Sequence, residues 1–156
     1  ILLVELGLAT RFTGLDWDRR KVEVCQVAAG EDGRAIVADA TRAELAPVDT
    51  VLIIDALHYL AREERRALLE RAAAALRPGG RLVIRELDPK RGLRSRIAQW
   101  AERVGSRVGM NRGAVCEWVD PAALSAEVAA LGLSPRLVPH PDDKPSPNYL
   151  LIADKA

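Results

Sequence analysis

The sequence has 156 residues, 49% of them apolar and 29% charged, and its 23 Lys and Arg offset 22 Asp and Glu to leave a formal charge of +1. That length and composition suit one ordinary globular domain, and a charge so near zero excludes a global field that would draw nucleic acid to the surface. No apolar run approaches the ~20 residues of a membrane span and no signal peptide is visible, so the expected compartment is the cytoplasm. Cys25 and Cys116 stand far apart in a spacing that suggests neither zinc nor a redox pair, and they read as two thiols in a reducing compartment.

Residues 1–8 read as the back half of an amphipathic helix stopped around Gly7. From Arg11 onward short apolar runs alternate with helical stretches, the pattern of strand and helix units around a mainly parallel sheet. Residues 11–15 predict a strand ending at Asp16, residues 19–29 a helix whose Val22, Cys25 and Val27 face the sheet, and residues 35–38 a strand ending at Asp39. Residues 50–54 form a run ending at Asp55 whose strand over 51–54 is apolar on both faces, as expected of a central parallel strand covered by helices on each side. Glu63 and Glu64 open the next helix at the end where its dipole favours negative charge. Leu68, Leu69, Ala72 and Leu76 form its buried stripe, and Arg77-Pro78-Gly79-Gly80 closes it. Residues 81–86 predict another strand, and Leu93, Ile97, Trp100, Ala101, Val104 and Val108 recur at helical spacing beyond it. Asp120 as cap and Pro121 at the first helical position begin a helix to Leu131. Strands at 136–138 and 149–153, joined by a proline-rich loop over 139–147, complete the pattern.

Ligands of an open sheet of this kind bind outside the carboxyl ends of its strands, where the strand order reverses. Asp16, Asp39 and Asp55 all fall on that edge. A carboxylate there is placed to accept hydrogen bonds from both ribose hydroxyls of an adenosine ligand. Aspartates also cap helices and end strands, so each one alone has a plain structural alternative.

Four segments carry a family resemblance: Phe12-Thr13-Gly14-Leu15-Asp16; Ala38-Asp39-Ala40; Val48-Asp49-Thr50-Val51-Leu52-Ile53-Ile54-Asp55-Ala56-Leu57-His58-Tyr59-Leu60; and Leu76-Arg77-Pro78-Gly79-Gly80-Arg81-Leu82. In order and spacing they resemble successive motifs of class I S-adenosylmethionine-dependent methyltransferases. The resemblance is close from Ile1 to about Asp88 and continues as topology to the end, where the last two strands are similar to that family's antiparallel hairpin. It implies an α/β fold: a Rossmann-like, doubly wound, mostly parallel sheet with a C-terminal antiparallel hairpin, as a single domain over residues 1–156. It also implies S-adenosylmethionine as cofactor. Asp16 would hold the ribose hydroxyls, Asp39 would accept from the adenine amino group, Ala40 would offer its backbone amide to the ring, and Leu15 and Trp17 would flank the adenosine. Ile54 and Asp55 would lie near the methionine part, and His58 and Tyr59 would line the entrance to the substrate pocket. The run from Asp55 to Leu60, with Arg85 and Glu86, also resembles small methyltransferases of bacterial aryl-polyene or related lipid gene clusters. The family's first motif, a strand and a glycine-rich turn, would lie before Ile1, in mid-sheet between the strands ending at Asp16 and Asp55. The sequence therefore reads as N-terminally truncated, lacking its first strand, and residues 1–156 alone are expected to bind the cofactor weakly or not at all.

Methyl transfer from a sulfonium is an in-line displacement, so the first requirement is to hold nucleophile and methyl group in line. If the acceptor is a phenol or an alcohol, His58 is the candidate general base, because histidine is the side chain ordinarily suited to proton transfer near neutral pH and this one falls at the correct sheet edge; its alternative is to cap the following helix or to pack. Tyr59 is a candidate substrate contact or an ordinary half-buried aromatic, Glu86 and Asp88 at the same edge are placed to touch substrate or cofactor or else to be solvated or cap a helix, and His140 in the proline-rich loop reads as solvated. No metal site is expected. Between Lys90 and Arg112 seven basic residues, Lys90, Arg91, Arg94, Arg96, Arg103, Arg107 and Arg112, face one acidic residue, Glu102. They read either as a docking surface for an acidic partner, such as a carrier protein, a phosphate-bearing substrate or an anionic membrane surface, or as the solvated side of a helix. Nucleic acid is not expected, because Trp100 belongs to the apolar stripe and leaves no stacking platform. The expected activity is methyl transfer from S-adenosylmethionine to a small-molecule or carrier-bound acceptor. Its rivals are a non-catalytic scaffold that binds an acidic partner and a nicotinamide-dependent oxidoreductase, against which the Pro-Gly-Gly strand entry and the terminal hairpin count.

Overall fold

The computed structural model describes residues 11–31, 33–90, 117–138 and 148–156. The expected helix over 1–8, the helical stripe from Leu93 to Val108, the basic run beyond Lys90, Cys116, and the loop over 139–147 with His140 lie outside the described residues. The chain divides into two compact units, one ending at Glu44 and the other beginning at Leu45.

In the first unit β1 (Phe12–Asp16) runs parallel to β2 (Gly33–Val37), in register from Phe12 opposite Gly33 to Asp16 opposite Val37. The crossover is α1 (Arg19–Ala29), whose start is fixed by Asp18, its carboxylate accepting from the Arg20 amide at 2.9 Å. Gln26 ties the helix to β2, accepting from the Ala35 amide at 2.8 Å and donating to the Gly33 carbonyl at 3.2 Å. Val22 and Ala29 are buried and Cys25 is half-buried, but Val27, expected on the same face, is 85% exposed. At about 100° per residue Val27 lies roughly 140° around the helix from Val22, outside the stripe that Val22, Cys25, Gln26 and Ala29 share.

The second unit holds a four-stranded sheet in the order β3-β4-β6-β5. β3 (Val48–Ile54) and β4 (Leu76–Leu87) are parallel and joined by α2 (Arg62–Ala75). β6 (Asn148–Lys155) runs antiparallel to β4, and β5 (Leu133–Val138), preceded by α3 (Pro121–Ala129), runs antiparallel to β6. The α/β class, with parallel strands joined by helices and a terminal antiparallel hairpin, is the one expected; the strands are distributed over two sheets. β3 departs from expectation. Among the described residues it pairs only with β4 and so lies at the edge of its sheet, and Leu52 and Ile54 are each 46% exposed while Ile53 between them is buried. Its apolar residues alternate between a covered and an open face, as a pleated strand requires.

The Pro-Gly-Gly segment does more than close a helix. α2 ends at Ala75, Leu76 already pairs with Val48, and the next partners are Thr50 and Arg81, so Arg77-Pro78-Gly79-Gly80 loops out of the ladder as a bulge. Proline, which has no amide to donate, is tolerated where the ladder is interrupted. Gly79 has φ of +74°, and a Cβ on Gly80 would stand 2.8 Å from the Arg77 carbonyl oxygen and 3.1 Å from that of Asp49. Both neighbours are backbone and yield little. Gly80→Ala is therefore expected to cost about 1–3 kcal/mol, measured as a lowered midpoint in urea with an unchanged slope.

The core lies between this sheet and α2 and α3. Leu82 and Ile84 of β4, Leu151 and Ala153 of β6, Leu69 and Ala72 of α2, and Leu124 and Val128 of α3 are all buried to within 1% of complete. Glu64 accepts from the Ala61 amide at 3.1 Å to close the first turn of α2. Lys155 Nζ donates to the Ala73 and Leu76 carbonyls at 2.9 and 2.7 Å, a cation at the helix end where the dipole is negative. α3 starts as expected, Asp120 accepting from the Ala122 and Ala123 amides and Pro121 in the first turn, but it ends at Ala129, with Gly132 beyond it at φ of +80°. Lys90 pairs with Asp120, and that hydrogen bond holds the Asp120 carboxyl below the usual carboxylate range.

Candidate functional site

Parallel pairing puts the ends of β1 and β2 on one edge of the first unit, and the expected carboxylates are there. Asp16 closes β1, and its Oδ1 accepts from the Asp18 amide at 2.8 Å in a side-chain turn. That bond fixes the rotamer while Oδ2 accepts no hydrogen bond among the described residues. Trp17, next in the chain, is 42% exposed. Asp39 lies just beyond β2, its Oδ1 accepting from the Thr41 amide at 2.9 Å and the Thr41 hydroxyl at 2.6 Å. Asp39 and Ala40 are half-buried.

In the second unit, β3 ends in a kink. Asp55 has φ of +50°, a left-handed conformation that aspartate tolerates better than most residues. Its amide donates to the Arg85 carbonyl at 2.9 Å and its carboxylate pairs with the Arg85 guanidinium at 3.4 Å. With the Asn148 amide turned so that its oxygen faces the guanidinium, the orientation that satisfies both groups, Arg85 also donates through Nη2 and Nε to that oxygen at 2.6 and 2.9 Å. After the kink, residues Leu57–Tyr59 form a single 3-10 turn.

The turn is built around Glu86. Its Oε1 accepts from the Ala56 and Leu57 amides at 2.9 and 2.6 Å, and its Oε2 lies 2.7 Å from His58 Nδ1. Glu86 is 2% exposed and His58 3%. All the groups facing the carboxylate are donors, so His58 carries a hydrogen on Nδ1 and, when neutral, presents Nε2 as an acceptor. The imidazole stacks on Trp118, centroids 4.2 Å apart and planes 20° apart, and meets Tyr59 tilted, at 4.0 Å. The Glu117 amide donates to the His58 carbonyl at 2.9 Å, which brings the chain before α3 across the turn. His58 Nε2 and Trp118 Nε1 are both buried without a hydrogen-bond partner among the described residues. Such orphaned groups cost about 1–3 kcal/mol each, which marks the place as more than packing.

His58, Tyr59 and Glu86 are thus one cluster, with Asp55 on the same connection and Ile54 exposed before it. Both oxygens of Glu86, the candidate substrate contact, meet the chain's own groups, so the carboxylate anchors His58. His58 does not cap α2, where Ala61 and Glu64 stand. Trp118 is not among the expected site residues. No local spacing marks it, because 60 residues separate it from His58 in the sequence.

Tyr149 stands opposite Glu86 across the β4–β6 ladder, is 7% exposed, and donates its hydroxyl to the Val119 carbonyl at 3.4 Å. Burial, and then the Glu86, Asp88 and Asp120 carboxylates, push its phenol well above the usual tyrosine range. Because the folded value is the higher one, the contribution of Tyr149 is full below the unfolded value of about 10 and is withdrawn as pH rises above it. Stability is expected to fall from about pH 10 upward, and Tyr149→Phe to flatten that fall in urea titrations across the range.

Parallel strand–helix units with acidic residues at their carboxyl ends, followed by an antiparallel hairpin, place the chain in the Rossmann-like α/β class, whose ligands bind at that edge. The family model described as "Methyltransferase domain" matches residues 1–80, and the chain belongs to that family, whose cofactor is S-adenosylmethionine. No curated protein matches. Solved structures share the fold. An O-methyltransferase family protein from Burkholderia thailandensis superposes with a TM-score of 0.71 at 21% identity, over 99% of this chain and 46% of that one. A SAM-dependent methyltransferase from Methanosarcina mazei does so at 0.67 and 14%, over 97% and 85%. The N-methyltransferase NodS from Bradyrhizobium japonicum WM9, in complex with S-adenosyl-L-homocysteine, does so at 0.67 and 15%, over 93% and 66%. The chain spans about half the length of the first of these. Among the described residues no helix is long and apolar enough to cross a membrane.

Proposed function

We propose that the protein transfers a methyl group from S-adenosylmethionine to a small-molecule or carrier-bound acceptor. The observation that carries this reading is the Asp16 carboxylate at the carboxyl end of β1, locked by its own turn with Oδ2 left to accept from a ligand hydroxyl, in a chain of the methyltransferase family. The residues fit the cofactor's adenosine. Asp16 would accept from the ribose hydroxyls, Asp39 from the adenine amino group, and the exposed Trp17 would cover the nucleoside. When bound, S-adenosylmethionine supplies an electrophilic methyl group on a sulfonium whose bonding electrons leave with sulfur. In the second unit His58 would take the acceptor's proton at Nε2, with Glu86 holding the ring in the tautomer that leaves Nε2 open. The fold admits O- and N-methyltransferases alike, as the Burkholderia protein and NodS illustrate. The similarity to lipid-cluster methyltransferases and the basic run from Lys90 to Arg112 favour an acceptor delivered on an acidic carrier.

The test is calorimetric titration of the full-length protein with S-adenosyl-L-homocysteine. Binding is expected, and Asp16→Ala should weaken it by about tenfold or more, the loss of charge-assisted hydrogen bonds. Equal affinity in wild type and Asp16→Ala would remove Asp16 from the cofactor site, and no binding to either would overturn the reading.

A further inference from the structure

Two stacked rings, His58 and Trp118, each bury a nitrogen that has no hydrogen-bond partner among the described residues. One such atom in a native fold is an exception that calls for a reason; two in one stacked pair call for a shared reason. Their chemistry is complementary. With its hydrogen on Nδ1 and directed at Glu86, neutral His58 can only accept at Nε2, while the indole Nε1 of Trp118 can only donate. The group that satisfies both must donate one hydrogen bond and accept another. A hydroxyl does this through a single oxygen. An ammonium only donates, a carboxylate only accepts, a carbon nucleophile does neither, and a neutral aryl amine donates but accepts weakly because its lone pair is delocalised into the ring.

Building on the methyltransferase reading, we propose that Trp118 selects a hydroxyl oxygen as the methyl acceptor: its indole N–H donates to that oxygen, and the hydroxyl donates to His58 Nε2. The two contacts have different effects. The bond to Nε2 aligns the proton that must leave, and the bond from the indole orients the oxygen lone pairs. Stacking fixes the two rings relative to one another, so an acceptor atom of the wrong hydrogen-bonding character leaves one or both nitrogens unpaired. Sites built in this way reject analogues lacking the polar group far more strongly than apolar pockets reject a size change. Tyr59, tilted against the imidazole, supplies a further aromatic surface, which suits an aryl hydroxyl.

The probes are phenol, toluene and aniline, followed in 1H–15N spectra of the full-length protein with the Trp118 indole signal assigned by its loss in Trp118→Phe. Phe keeps the aromatic stack and removes only the N–H, and S-adenosyl-L-homocysteine affinity, measured in parallel, reports on the cofactor site separately. Phenol is expected to shift the Trp118 indole signal downfield and to bind at least about tenfold more tightly than toluene, with aniline between them. In Trp118→Phe the preference for phenol over toluene should fall at least about fivefold while cofactor affinity stays unchanged. The proposal is overturned if phenol and toluene bind alike, if the preference survives in Trp118→Phe, or if the indole signal is already hydrogen-bonded and indifferent to phenol, the mark of a permanent buried water. Failure of the phenol arm with cofactor binding intact removes the hydroxyl site alone. Absence of cofactor binding with the phenol preference intact overturns the acceptor role together with the methyltransferase reading.

Discussion

Glu86→Ala is expected to destabilise the second unit by about 3–5 kcal/mol, the loss seen when one member of a buried, hydrogen-bonded charged network is deleted. The carboxylate serves the Ala56 amide, the Leu57 amide and His58 Nδ1, and it is 2% exposed, so water has little access to replace it. Truncation leaves three donors facing a cavity. Glu86→Gln separates the structural from the chemical consequence. The carbonyl oxygen of the new amide still accepts from the two backbone donors, but its NH2 then faces the imidazole, which must turn Nδ1 into an acceptor and move its hydrogen to Nε2. The Glu86→Gln protein should therefore recover most of the stability, with the tautomer of His58 inverted in 15N spectra, and if His58 is the base proposed above it should retain little of the proposed methyl transfer. Urea denaturation of the three proteins gives the stabilities. A loss below about 1 kcal/mol in Glu86→Ala would mean that the turn over Leu57–Tyr59 is held by its neighbours rather than by this side chain.

The same residues show what a sequence can and cannot disclose. The end of β1 at Asp16, the span of α1, and the Asp120 cap of α3 are local features, each written in a few adjacent residues, and they stand where expected, while β2 is shifted to Gly33–Val37 from the expected 35–38. The Pro-Gly-Gly segment is legible as a boundary but not as a bulge, because the bulge is defined by which residues of β3 it skips. Periodicity misplaces Val27 because apolar residues in a short helix fit more than one angular stripe, and burial of Val22 and Ala29 chooses between them. β3 reads as central because Leu52, Ile53 and Ile54 are all apolar, and apolar character does not state whether a face is covered. His58 and Glu86 are visible separately, one as a base and one as a substrate contact. Their dependence on each other spans 28 residues, and the stacking of Trp118 on His58 spans 60, so both come from tertiary packing and from no local pattern.

Ile84→Ala carries the other large expected effect, about 2–5 kcal/mol. Ile84 is 0% exposed at the centre of β4, opposite Ile53 of β3 on one side and Leu151 of β6 on the other. Residues two apart share a face of a strand, so Leu82, Ile84 and Glu86 form one row, and their partners on β6 are Ala153, Leu151 and Tyr149. The row is apolar until its last position, where the carboxylate takes the place of the next aliphatic side chain. The hydrophobic packing of β4 therefore sets the direction in which Glu86 points. A cavity at Ile84 should loosen that aim as well as lower stability, lengthening the contact of Glu86 to His58. Leu52→Ala, on the open face of β3, provides the comparison, with an expected change within about 0.5 kcal/mol. Denaturation midpoints of the two variants decide the matter. Equal losses would show that the outer face of β3 is packed in solution; a loss confined to Ile84→Ala would place the weight of the fold on the row that ends at Glu86.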